Sequence, residues 1–138
     1  MINIGTAGSL RDGLHGVHEI HTVTQHDFDS VEIRALVNRD YGMPLELVAA
    51  DESARVVLAT GDRFIADGEA RRALSRDAHL VDREGYAVAW AARNVGVPVR
   101  LVKLVSDGAG EGAGQTWAQT VGGHARTLAG WVLENLGG

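Results

Sequence analysis

The chain contains no cysteine, so disulfides and thiolate metal sites are both excluded, and a reducing cytoplasm is the expected setting. No apolar stretch approaches the roughly 20 residues that a membrane-spanning helix needs, so no membrane association is expected. A basic segment leading into an apolar one is missing from the N-terminus, so no secretory signal is visible. Clustered cations are missing too. Arg71 and Arg72 are the only adjacent arginines, and a net charge of −5 argues against nucleic acid, whose phosphates demand grouped Lys and Arg. Neither an internal repeat nor a domain linker is apparent. What is there fits one globular domain over residues 1–138, with 45% hydrophobic and 22% charged residues. The expectation is a cytoplasmic domain with a small-molecule ligand and no cofactor.

Glycine is abundant, at 18 residues, and unevenly placed. Gly5 and Gly8 follow Ile2-Asn3-Ile4, Gly61 follows Val56-Val57-Leu58, and Gly108 follows the run Leu101 to Val105. Glycine lets backbone approach a ligand closely where a strand ends, and ligands gather at that edge of α/β sheets. Short β-rich runs alternate with helical patterns, which predicts an α/β fold: a central mixed sheet flanked by helices. The expected strands are Ile2 to Ile4, Val17 to Gln25, Val56 to Thr60, His79 to Val81 and Val99 to Val105. Asp67 is the expected N-cap of a helix reaching about Asp77. A second helix is predicted over Gly85 to Asn94, stopped by Gly96 and Pro98. A third is predicted over Thr116 to Leu136, where Trp117, Val121, His124, Leu128, Trp131 and Leu136 repeat at near-helical spacing as a core stripe. The segment Asp29 to Ser53 has weak periodicity and reads as a long loop.

The run Ile2 to Ile4 begins almost at residue 1, yet ends in the glycine-rich turn of a central strand, which needs neighbours on both sides. An N-terminal section preceding it, or a second polypeptide supplying those neighbours, is therefore expected.

Four glycine-marked turns occur in order: Gly5-Thr6-Ala7-Gly8, Thr60-Gly61-Asp62-Arg63-Phe64-Ile65, Val81-Asp82-Arg83-Glu84-Gly85 and Val105-Ser106-Asp107. In this order and spacing the chain resembles the nucleoside phosphorylase and nucleosidase superfamily, most of all the methylthioadenosine and S-adenosylhomocysteine nucleosidases. The pair His26-Asp27 also matches that family, and the resemblance runs from residue 2 onward. It implies a phosphorylase/hydrolase-like fold and cleavage of a ribose–purine bond in a 5′-substituted adenosine. That cleavage builds positive charge on the sugar and negative charge on the leaving base. By resemblance, Asp107 is the acid that protonates the base, with Ser106 beside it, and Glu84 grips the ribose hydroxyls. Phe64 would stack on the purine and the Ile65 backbone would read its edge. Thr6, Ala7 and Gly8 would line the sugar and the attacking water. Members of the superfamily are usually dimers or hexamers, so a homo-oligomer, in the first place a dimer, is implied.

Read as residues alone, each has a structural alternative. Asp107 suits a turn cap, Glu84 an exposed first-turn residue favoured by the helix dipole, Phe64 and Ile65 a core, and His26 a structural hydrogen bond. His15, His18 and His21 are spaced by three, which on a strand sends successive members to opposite faces and argues against a metal site. The glycines from Gly108 to Gly114 lack the Gly-Lys-Ser/Thr of a phosphate cradle and read as a flexible loop. Related phosphorylases carry an arginine just before the first glycine turn, where this chain has Asn3. Hydrolysis is thus expected over phosphorolysis. The family's water-activating glutamate belongs to the section preceding the resembling region, and Glu19, Glu32 and Glu46 are substitutes only by residue type. Arg83 stands where the family has a methionine beneath the sugar, either opposing a sugar cation, pairing with Asp82 or meeting an anionic substrate group. The alternative functions are a nucleoside-binding fragment or scaffold without turnover, and a nucleoside phosphorylase.

Overall fold

The computed structural model describes the backbone of residues 1–49, 53, 55–108 and 113–137, and the side chains of these except 107, 108 and 113–119. Along the chain come β1 (Ile2–Ser9), β2 (Val17–Glu19), β3 (Thr22–Gln25), α1 (Ser30–Val37), β4 (Leu45–Glu46), β5 (Val57–Thr60), α2 (Gly68–Leu74), β6 (Leu80–Asp82), α3 (Gly85–Asn94), β7 (Arg100–Gly108) and α4 (Ala113–Leu136). The strands form one mixed seven-stranded sheet in the order β2-β7-β1-β6-β5-β3-β4. β1 runs parallel to β7 along its whole length and pairs antiparallel with β6 through Gly8 and Ser9.

The predicted strand Val17 to Gln25 is in fact two strands at opposite flanks of the sheet. β2 pairs with β7, and β3 pairs with β5 and β4. The chain changes partners at two residues: the Ile20 amide donates to the Leu101 carbonyl, and the His21 amide to the Val56 carbonyl, both at 2.9 Å. Three backbone steps reach at most about 11 Å. The sheet must therefore curl until its two flanks approach each other.

Curling encloses the main core, built from Ala7, Ile20, Val23, Leu45, Leu58, Leu80, Tyr86, Ala89, Ala92 and Leu101 among others. α3 lies against it through Tyr86, Ala89 and Ala92, the buried face of an amphipathic helix. On the other face a smaller cluster gathers Leu10, Ala59, Ile65, Ala78 and Val81, with Ala70 and Leu74 of α2 packed on it. Burial pushes the Tyr86 phenol above its usual range, and its hydroxyl donates to the Met43 carbonyl at 2.7 Å.

The helix limits hold for α3. Asp67 caps α2 as expected, accepting from the Ala70 amide at 2.8 Å, although α2 stops at Leu74. The loop expected over Asp29 to Ser53 instead contains α1 and the short edge strand β4. α1 buries no residue and is held by its ends: Asp29 accepts from the Glu32 amide, and Asn38 closes it in a left-handed conformation at φ 50°. The core stripe expected on the last helix is only partly realised. Leu128 is buried and His124 and Trp131 are half-buried, but Val121 and Leu136 are exposed, because among the described residues α4 packs mainly on β7 and β1. Trp117 lies outside the described side chains.

Candidate functional site

β1 and β7 keep one register from Ile2 opposite Arg100 to Ala7 opposite Val105, then shift so that Gly8 faces Asp107. Ser106 is the extra residue, so the strand bulges where two of the expected site residues stand. A bulge re-aims side chains and is frequent beside active sites. The Ser106 hydroxyl lies 3.4 Å from the Ala7 carbonyl oxygen. Asp107 ends up as the partner of Gly8, and Gly8 in turn faces Val81 of β6. Thr6, Ala7, Gly8, Ser106 and Asp107 are thus brought together by strand pairing alone. The Asp107 side chain lies outside the described ones.

On the opposite flank of β1, β6 ends at Asp82 and the chain turns through Arg83 and Glu84 into α3. The two strands flanking β1 are about 10 Å apart, twice the interstrand spacing of about 4.8 Å. Glu84 occupies the N-cap position of α3, but its side chain makes no capping hydrogen bond, and both it and Arg83 are exposed. Asp82 does the capping from two residues upstream: the Gly85 amide donates to both carboxylate oxygens, at 3.0 and 3.2 Å. The Thr60 hydroxyl donates to Asp82 at 2.6 Å and accepts from the Tyr86 amide at 3.0 Å.

Sequence reasoning missed the partner of this carboxylate. Lys103 of β7 lies 3.0 Å from Asp82 with both side chains buried, 4% and 2% exposed, and it also donates to the Asn3 side-chain oxygen at 3.2 Å. Burying two charges is costly unless geometry and extra hydrogen bonds compensate, and here Thr60, Gly85 and Asn3 supply those bonds. The signal was present: Lys103 is the only charge within an otherwise apolar run from Leu101 to Val105. It also revises the view of Asn3. A cation does reach that strand, but it is committed to Asp82. Of the alternatives for Arg83, pairing with Asp82 is excluded because Lys103 holds that carboxylate, and Arg83 forms no ion pair among the described residues.

The turn after β5 is tied down by the His26-Asp27 pair. Asp27 accepts from the Asp62 amide at 2.7 Å and the Arg63 amide at 3.3 Å. The His26 amide donates to the Thr60 carbonyl at 3.0 Å, while its ring Nε2 is buried without a hydrogen-bond partner among the described residues. Phe64 beyond this turn is 52% exposed, unlike a core residue. Ile65 is buried in the small cluster with Leu10 and Val81, which adjoin Gly8 in chain and register. The two residues expected to hold a base therefore come to the same end of β1 as Asp107.

Other expected elements stay apart from this region. His18 Nε2 lies 2.8 Å from the His15 carbonyl oxygen, and His21 Nδ1 lies 2.9 Å from the Thr22 hydroxyl; among the described residues no three acids or histidines gather as for a metal. Glu19 pairs with Arg100, while Glu32 on α1 and Glu46 on β4 are exposed. A groove of about 480 Å³ lies between β4 and the far end of α3, lined by Leu45, Leu47, Arg93 and Val99, away from the four turns. No helix among the described residues is long and apolar enough to cross a membrane.

Known proteins share the sequence pattern and the fold of this chain. The family model of the phosphorylase superfamily matches residues 1–130. A 5′-methylthioadenosine/S-adenosylhomocysteine nucleosidase of Staphylococcus carnosus is 27% identical over 156 aligned residues, covering 99% of this chain and 68% of that protein. An aminodeoxyfutalosine nucleosidase of Helicobacter pylori is 33% identical over 75 residues, or 53% of this chain and 33% of the relative. Among solved structures, the Helicobacter pylori 5′-methylthioadenosine/S-adenosylhomocysteine nucleosidase with butyl-thio-DADMe-Immucillin-A superposes with a TM-score of 0.79 at 25% identity, covering 96% of this chain and 66% of that one. The chain spans about two thirds or less of the length of these relatives.

Proposed function

The chain belongs to the phosphorylase superfamily, and from that premise we propose that it is a purine nucleosidase, hydrolysing the N-glycosidic bond of a 5′-substituted adenosine such as methylthioadenosine or S-adenosylhomocysteine. The observation that carries this is the bulged end of β7, which sets Ser106-Asp107 against Ala7-Gly8 while the Glu84 turn occupies the other flank of β1. In this reaction the bond between the anomeric carbon and the base nitrogen breaks, and its electron pair leaves with the base. Asp107 gives that base a proton, a contribution of roughly 10²–10⁴-fold. Glu84, exposed and not spent on capping, holds the ribose hydroxyls and favours the sugar cation. Phe64 stacks on the purine and the Ile65 backbone reads its edge. Thr6, Ala7 and Gly8 line the sugar and the water whose oxygen bonds to the anomeric carbon, one proton of that water passing through solvent to restore the Asp107 acid. Hydrolysis rather than phosphorolysis is supported by Lys103: the cation nearest Asn3 is 3% exposed and neutralised by Asp82, so it is not available to hold phosphate.

A second reading, nucleoside binding without turnover, draws on the carboxylates. Glu19 is paired with Arg100, and Glu32 and Glu46 sit on α1 and β4, so none of the three stands at the four turns to activate water. One experiment separates the readings. Incubation with 5′-methylthioadenosine, followed by chromatography, is expected to yield adenine without added phosphate, and Asp107→Asn should lower the rate by at least about 100-fold. Binding detected by calorimetry with no adenine released would leave the second reading. Release that requires phosphate would make the chain a phosphorylase. The functional unit is proposed to be a homo-oligomer, in the first place a dimer, working in the cytoplasm.

A further inference from the structure

A residue at the N-cap position usually spends its side chain on the free amides of the first helical turn. Glu84 holds that position in α3 and makes no such bond. The first two of those amides are nevertheless satisfied. Gly85 donates to Asp82, and Tyr86 donates to Thr60, whose hydroxyl donates in turn to Asp82. From this substitution of roles we infer that Asp82, supported by Thr60 and Lys103, is a positioning residue for Glu84: it caps α3 in place of Glu84 and so leaves the Glu84 carboxylate for the ribose. The inference rests on the proposed ribose-binding role of Glu84.

Three features fit a device aimed at the turn rather than a general brace of the sheet. First, the carboxylate directs both oxygens to the one amide that follows Glu84. Second, Gly85 has no room for a side chain: a Cβ there would lie 2.6 Å from Leu58 Cδ2 and 2.9 Å from an Asp82 oxygen. Third, the device joins both flanks of the site. Lys103 is on β7, four residues before Asp107, and reaches Asp82 past β1, touching Asn3 on the way. A shift of β7 is therefore felt at the turn that carries Glu84. An ordinary capping Ser or Asp at position 84 would stabilise the helix equally well and leave no acid for the sugar.

The test is a double-mutant cycle between the clamp and Glu84, read as the affinity for 5′-methylthioadenosine by calorimetry and as kcat and KM for adenine release. Thr60→Val removes the bridging hydroxyl and keeps the Lys103–Asp82 pair; Asp82→Asn weakens the clamp directly, and Thr60→Val alone decides if Asp82→Asn fails to fold. In the parent chain Thr60→Val is expected to weaken binding about tenfold, and in a Glu84→Gln background less than about twofold, since coupled residues are non-additive. Thr60→Ser should restore the parent affinity. Hydrogen exchange of the Gly85 and Tyr86 amides should quicken in Thr60→Val while the other β6 and α3 amides keep their protection. Equal losses in both backgrounds, or unchanged exchange at those amides, would overturn the inference. A parent chain that binds the nucleoside without releasing adenine would overturn hydrolysis only, because the binding cycle still reads the coupling. A parent chain that does not bind it overturns both.

Discussion

A Cβ placed on Gly61 would stand 2.4 Å from the His26 ring and 2.8 Å from the Asp27 carboxyl carbon, so the turn carrying Phe64 depends on the absence of one methyl group. Gly61→Ala is expected to push that ring aside and loosen the Asp27 bonds to the Asp62 and Arg63 amides. The expected cost is about 1–3 kcal/mol of overpacking, measured by urea unfolding, with weaker binding of adenine-like ligands because Phe64 loses its anchor. A Gly61→Ala chain as stable as the parent would refute this reading of the turn. Arg83 makes the opposite kind of prediction. It is exposed and forms no ion pair among the described residues, beside the acid proposed to hold the ribose. A guanidinium there opposes a developing sugar cation, so Arg83→Met should raise kcat for adenine release from methylthioadenosine, a substrate without an anionic group. A fall in activity confined to a substrate with a 5′ carboxylate would instead make Arg83 an anion-binding residue.

Between elements, the joint of β5 and β6 carries the clearest pH dependence. The Val57 amide donates to His79 Nδ1 at 3.0 Å, which requires that nitrogen to be unprotonated. Burial holds the His79 pKa below its ordinary 6.5, and the charges of Arg11 and His18 lower it further. The folded state thus favours the neutral ring. The stability this contributes is complete above about 6.5, the unfolded value, and is lost as pH falls towards the lower folded value, where the unfolded chain binds the extra proton. Melting temperature should therefore drop on acidification below about pH 6.5, and His79→Gln, which keeps an acceptor but cannot titrate, should flatten that limb. The same scale explains what could be read in advance. α3 was legible from end to end because its buried face repeats at helical spacing and Gly96, at φ 69°, stops it. α1 was not, because it buries nothing, and periodicity reports burial rather than helix formation itself. The break between β2 and β3 was hidden for a related reason: residues 17–25 keep a strand-like composition while changing partners at Ile20 and His21. At the site, the turns after β5 and β6 were legible as glycine-marked strand ends. The turns expected at Gly5 to Gly8 and at Ser106-Asp107 instead lie inside β1 and β7, because these strands pair with each other well beyond Ile4 and Val105. The clamp was not legible either, since nothing local to Lys103 says that Asp82, 21 positions away, will lie across β1 from it.

At the scale of the molecule, the question is what the chain does with apolar surface that its own core does not use. Val31, Leu36 and Val37 of α1 are 79%, 73% and 50% exposed, and Phe28 and Met43 beside the same excursion are 38% and 45% exposed. Monomers rarely present so many large apolar groups on one excursion unless a partner covers them. The excursion also reaches the functional region: Phe28 follows the His26-Asp27 pair that secures the Phe64 turn, and Met43 accepts from Tyr86 of α3. A second copy covering α1 would order both. Sedimentation velocity is expected to show a species heavier than the 14.6 kDa chain. Replacing Val31 and Leu36 together by glutamate should shift it to the monomer. Because α1 buries no residue within its own chain, each substitution should change the stability of the isolated fold by no more than about 0.5 kcal/mol. Loss of oligomer with intact melting and weakened nucleoside binding would tie assembly to the site. A parent chain that stays monomeric at high concentration would show that α1 is solvent-facing by design, and self-association would have to be abandoned.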